Sequence, residues 1–344
     1  MLVTQFTLFI YFTICVFFVI VLNQVKEKQR NIIFAGLTIL SILMVTFRGE
    51  LGADTATYIS FVRHIEWWNT KRYLLIFEPF FIYFVLLAKT LVNDHIFVFF
   101  LAASLSIILK SYSIAKYSPY QLLSFIIFLS SYFLSLEFNQ MRQGISVGFF
   151  VFSIEFLFKK EYIKYYLILL TGCFFHSSLL LCLLVPFVPR TSNYKIIILS
   201  VLTCFIFVFL SLPLSSIIKF ISPFAPSMVG DKLLYYILSE YAIKVGFSVV
   251  QLWYIIIVLL GCYYIRFVNS TKYEFYFNLF VVGVCLNFIF NSVSVLLRLS
   301  YPLLLLEIFI PPFIIKNSKN KVLLTILFVI FYTFRFINLL KGFK

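Results

Sequence analysis

Charge is what this sequence has least of: only 12% of its 344 residues are Asp, Glu, Lys or Arg, and 13 are acidic. Soluble chains average about 25% charged residues, so an ordinary globular fold in water is excluded. Histidine is scarcer, with three in the chain. His64, His95 and His176 lie far apart and no carboxylate pair has ligand spacing, which leaves a metal centre little to draw on. No glycine-rich phosphate loop and no serine or cysteine nucleophile motif is present, so nucleotide binding and acyl transfer have no carrier. The six cysteines all fall inside apolar runs without C-x-x-C spacing, and they read as small core residues instead of disulfides or ligands. The first apolar stretch begins at Val3 with neither a basic leader nor a small-residue cleavage pattern, so it reads as a retained helix. No soluble domain interrupts the chain, and neither a fixed-period repeat nor similarity between its halves is visible.

Apolar residues supply the rest: 62% of the chain is hydrophobic, with a mean hydropathy of +1.04. About 20 apolar residues in a helix cross a hydrocarbon core of about 30 Å. Runs of that kind lie near 3–23, 32–47, 75–92, 95–113, 121–138, 142–158, 163–187, 195–212, 245–265, 275–293, 299–315 and 322–340. Continuous runs, not two-residue alternation, mean helices and not a barrel. The sequence predicts an all-α polytopic membrane protein of about 11 to 12 crossings, forming one transmembrane domain over 1–344. Two connections are long, 48–74 and 213–244, the latter holding Pro213, Pro223, Pro226 and Gly230. Long loops in a compact domain tend to be functional, and both are expected on the extracytoplasmic side.

The net charge of +15 is spread over short connections such as KEKQR at 26–30, KSYSIAK at 110–116, KKEYIK at 159–164 and KNSKNK at 316–321. No continuous basic face for nucleic acid exists. Basic clusters beside spans sit on the cytoplasmic side, near anionic lipid. KEKQR and KSYSIAK can share that side only if an even number of crossings separates them, and the runs between them count three. Either one of 75–92 and 95–113 is a re-entrant or tilted half-span, or the start of the chain is placed on the wrong side.

Charged side chains at bilayer depth cost about 2.5 to 3.5 kcal/mol and usually face a cavity or a partner. Polar residues gather in four places. In RGELGADTATY at 48–58, Asp54 suits a helix N-cap, Arg48 can snorkel, and Trp67 and Trp68 suit an interface belt. In FNQMRQG at 138–144, Asn139, Arg142 and Gln143 share a face if the turn belongs to the following helix; a polar helix hairpin is the alternative. Arginine's planar fork suits two phosphate oxygens at once. FFHSS at 174–178 places His176 inside an apolar run, either as an interhelical hydrogen-bonding residue or as an acid–base group. In LLRLSYP at 296–302, Arg298 and Tyr301 stand just before Pro302, where snorkelling is again the alternative. Three arginines with an aspartate and a histidine look like an anion site, and a diphosphate fits that charge.

The order R…GADT..Y (Arg48 to Tyr58), EP (Glu78, Pro79), NQMRQGIS (139–146), KKEYIKYY (159–166), FHSSLL (175–180) and R..YP (Arg298 to Pro302) resembles the EpsG-like family, within the Wzy-type O-antigen and exopolysaccharide polymerases. The resemblance covers roughly 40–310; the first span and 316–344 carry no matching motif. It implies a GT-C-like architecture in the bacterial inner membrane, needing neither cofactor, nucleotide sugar nor metal. The substrate would be an undecaprenyl-diphosphate-linked glycan polymerised at the periplasmic or outer face, with a chain-length regulator as partner.

Negative charge grows on the diphosphate as the glycosidic donor bond breaks, so cations placed there in advance lower the barrier. Arg142 and Arg298, with Arg48, are the expected diphosphate contacts. Tyr58, Gln143 and Tyr301 would orient sugar or phosphate oxygens, with Glu78 and Asn139 also at the substrate. Asp54 or His176 would take the acceptor hydroxyl's proton. A ligase using the same donor, a lipid-linked oligosaccharide flippase or transporter, and a structural membrane protein are the competing readings.

Overall fold

The computed structural model describes residues 3–21, 26–74, 76–210, 219–220, 222–224 and 247–343. Among them the secondary structure is entirely helical, as expected of an apolar chain whose backbone must satisfy itself. Most of the loop 213–244 lies outside the described residues. Where the sequence reads as one domain, the contacts divide the chain into two compact units, 1–180 with 311–344, and 181–310.

The first unit contains α1 (Gln5–Val21), α2 (Glu27–Thr46), α3 (Thr55–His64), the single turn α4 (Thr70–Tyr73), α5 (Pro79–Leu91), α6 (His95–Tyr117), α7 (Gln121–Phe128), α8 (Met141–Phe158) and α9 (Tyr162–Phe175). α7 continues as a π-helix, Leu129–Asn139. Small polar residues let these helices approach within the apolar bulk, as expected where burial alone gives no drive for association. The Tyr11 hydroxyl donates to Leu37 O at 2.8 Å, joining α1 to α2, and Thr38 donates to Ser111 at 3.3 Å, joining α2 to α6. Apolar side chains of α3, α5, α6 and α8 close a core that includes Phe61, Phe77, Phe81, Phe99, Ile145 and Phe175.

The positions of the helix ends within this unit bear on the crossing count. Asn31 of α2 accepts from Gln121 at the start of α7 (2.8 Å). Glu155 Oε1 holds Lys116 at the end of α6 (2.7 Å) and Lys159 just past α8 (2.6 Å). KEKQR, the Lys116 end of KSYSIAK and Lys159 of KKEYIK therefore gather at one end. Between the first two lie only two full-length helices, α2 and α6. α5 has 13 residues, about 20 Å at 1.5 Å per residue, short of a core of about 30 Å. It starts at the opposite end, and Lys89 in its last turn donates to Ile65 O at the end of α3 (2.8 Å). Of the two runs in question, 75–92 is the one whose helix is too short for a full span, while 95–113 holds a 23-residue helix.

The 163–187 run is also broken. α9 ends at His176, whose backbone is extended (φ −159°, ψ 125°), and a 3₁₀ stretch, Ser177–Phe187, follows with Pro186 inside it. In the second unit α10 (Tyr194–Leu210), α11 (Val249–Tyr264) and α12 (Thr271–Ile289) pack with a segmented chain over 294–309. The expected helix 299–315 is interrupted there, because Pro302 and Pro311 each remove a backbone donor. Tyr273 donates to Gly261 O at 3.1 Å and Asn278 to Pro189 O at 2.8 Å, holding α12 against α11 and against the segment preceding α10.

Candidate active site

Three of the four polar clusters, together with the Glu78–Pro79 pair, meet at the end of the first unit opposite its basic segments. The seam is the junction between the π-helix and α8. A helix leaves its last carbonyls without intrahelical partners. Here Arg48 Nη1 donates to Glu137 O and Phe138 O, both at 2.9 Å, while its guanidinium lies 3.9 Å above the Phe99 ring. A cation at this position also opposes the negative end of the helix dipole. Burial pushes the Arg48 guanidinium down to about 10, against the nearby Tyr58, Glu137 and Asp54, so it stays charged at neutral pH. Arg48 has no exposed surface. Snorkelling, the alternative reading of Arg48, does not hold: the side chain turns inward onto the two carbonyls.

The loop carrying Asp54 is seated on the same junction. Ala53 N–H donates to Asn139 Oδ1 at 2.9 Å. Gly52 has φ +102°, and a Cβ there would stand 2.6 Å from Phe138 O, so the close approach requires glycine. Asn139 ends the π-helix, with Gln140 breaking the chain before α8. It therefore does not share a helical face with Arg142 and Gln143. Asp54 occupies the N-cap of α3 without a side-chain cap bond.

Arg142 stands in the first turn of α8. Its Nη1 donates to Glu78 Oε2 at 2.5 Å and to Ile76 O at 3.1 Å, and its guanidinium lies 4.7 Å from the Phe77 ring. Arg142 Nε is buried without a partner, as is Arg48 Nε. One residue on, Gln143 donates to Ser178 Oγ at 3.2 Å. His176 Nδ1 lies 2.8 Å from that hydroxyl and accepts Ser178 N–H at 3.2 Å. A neutral ring accepting at Nδ1 carries its proton on Nε2, from which it can donate. Ser177 N–H points to Glu78 Oε1 at 3.5 Å, closing the ring of contacts.

Arg298 and Tyr301 belong to the second unit. Both are partly buried, on either side of Ser300, whose hydroxyl meets Asn287 at 3.4 Å. Asn287 and Asn291 in turn accept from Gln251 at 3.4 and 2.8 Å. This buried amide network follows from three polar residues in otherwise apolar runs. Sequence reasoning passed over it.

It also passed over Lys110 and Glu137. Their 2.7 Å ion pair is closed from solvent, and Lys110 also donates to Ser106 Oγ and Gly144 O, both at 2.6 Å. The available signal was a lone glutamate ending the apolar run 121–138. Arg335, buried in the last helix 5.8 Å from the Tyr132 ring of the π-helix, and the buried Glu307 are charges of the same kind.

A family model described as the EpsG family matches residues 31–343. No curated protein and no solved structure matches the chain.

Proposed function

The chain belongs to the EpsG family of Wzy-type membrane polymerases, and from that premise we propose that it joins undecaprenyl-diphosphate-linked oligosaccharide repeats into a longer polysaccharide. The observation that supports this most is Arg142, a cation in the first turn of α8 with a buried unpartnered Nε. It stands among side chains suited to oxygens of phosphate and sugar. In the transfer, the lipid diphosphate leaves as an anion, and Arg142 would stabilise the charge as it develops. Its position at a helix N-terminus adds to that attraction.

Around it, Tyr58 and Gln143 would orient phosphate or sugar oxygens, and His176 would donate from Nε2. With its proton there, His176 suits this better than the base role, while Asp54 remains beside Arg48. Arg48 acts as a positioning residue, because its Nη1 is spent on the Glu137 and Phe138 carbonyls and its face lies on Phe99. The part of Arg298 and Tyr301 rests on their chemistry within the second unit. Basic segments mark the cytoplasmic side, so the site would open to the periplasm or exterior of a bacterial inner membrane.

The test is to give the purified protein its cognate lipid-linked repeat and resolve the products by size. A ladder of longer lipid-linked glycans is expected, reduced by about 10²-fold or more in Arg142→Ala, the scale of losing one transition-state charge contact. A single transfer onto another acceptor would indicate a ligase. No product from the wild type would end the polymerase reading.

A further inference from the structure

The Arg142 fork is not empty: a carboxylate already occupies it. Glu78 holds Arg142 at 2.5 Å with one oxygen and faces Ser177 N–H at 3.5 Å with the other. Only 10% of its side chain is exposed. Its backbone (φ −72°, ψ 150°) caps α5, yet its side chain makes no cap bond, and Pro79 follows at the first helical position. The backbone is thus fixed while the carboxylate is uncommitted to the helix.

We propose that Glu78 is exchanged for the substrate's diphosphate at Arg142 and, once released, serves as the base that activates the acceptor hydroxyl. The inference rests on the polymerase reading. A diphosphate carries more charge than a carboxylate and presents the same oxygen geometry to the guanidinium, so it competes for Nη1. The two anions repel each other at that spacing, and Glu78 turns away from the arginine that had held it. A carboxylate bound to an arginine is a weak proton acceptor; one beside a diphosphate is a better one.

The acceptor hydroxyl then gives its proton to a Glu78 oxygen as its own oxygen bonds to the anomeric carbon. The bond from that carbon to the diphosphate oxygen breaks, its electron pair leaving with the diphosphate onto Arg142. Loading the donor thereby switches the base on, and no base is exposed while the site is empty.

The full chain in nanodiscs tests this with undecaprenyl diphosphate as the binding probe and ladder formation as the turnover readout. Glu78→Gln keeps shape and removes the competing charge, so it binds the probe about tenfold tighter, within the usual range of coupling between sites. It loses turnover by about 10²-fold or more, as expected for a missing general base. Glu78→Asp keeps a carboxylate and restores part of that turnover. Binding no tighter in Glu78→Gln, turnover retained in Glu78→Gln, or Glu78→Asp no better than Glu78→Gln would each overturn the proposal. A wild type that makes no ladder refutes the polymerase reading, and the binding comparison still decides the exchange.

Discussion

Arg48 and Arg142 are the same residue type put to opposite uses. Both keep a buried Nε without a partner, but Arg142 gives its Nη1 to the Glu78 carboxylate. Arg48 gives its Nη1 to two carbonyls and its face to Phe99. Lysine could supply the charge of Arg48 but not the planar fork or the stacking. Arg48→Lys should therefore cost about 1–3 kcal/mol, the scale of leaving a buried carbonyl unmet. The loss would be read as a lower unfolding temperature in detergent together with weaker ladder formation. Unchanged values for both would show that the two carbonyls do not depend on this side chain. The individual polar residues were legible because each is conspicuous against an apolar background. Their pairings were not, since Arg142 and Glu78 are 64 residues apart and only folding brings them together.

At the scale of elements, hydropathy located most helices to within a few residues but could not see how they break. His176, Gln140 and the 294–309 segment interrupt runs whose apolar character continues on both sides. The π-helix is equally silent in the sequence, although such irregularities concentrate at functional sites. Its end depends on the ion pair of Lys110 with Glu137, and a Cβ on Gly144 would stand 3.2 Å from Glu137 Oε2. Lys110→Met leaves a closed-in carboxylate without its cation, and removal of one partner of a buried pair costs about 3–5 kcal/mol. The double change Lys110→Met with Glu137→Leu removes both charges and should regain most of that loss. If the double variant unfolds no later than Lys110→Met, the pair's charges are not what holds the junction. Because the same turn presents Arg142 and Gln143, the single variant should also form shorter ladders.

For the whole chain, the two requirements that the sequence set against each other, sidedness of basic segments and a shared site, are reconciled within the first unit by one short helix. Parity was legible as a contradiction; which run yields was not, because α5 is as apolar as its neighbours. With α5 confined to the end that holds Arg142, its connection to α6 must lie on the site's side of the membrane, opposite the connection between α8 and α9. Asn93 and Lys160 are exposed residues in these two connections. In a background with the six native cysteines replaced by serine or alanine, Asn93→Cys in intact cells should react with a membrane-impermeant maleimide added outside. Lys160→Cys should react only once the membrane is opened. Labelling of both from outside would mean an even number of crossings between them, so one of α6, α7 with its π-helix, and α8 would not traverse. Labelling of Lys160→Cys alone would keep the three crossings between the two positions but turn the candidate site toward the cytoplasm, where lipid-linked repeats waiting at the outer face could not reach Arg142.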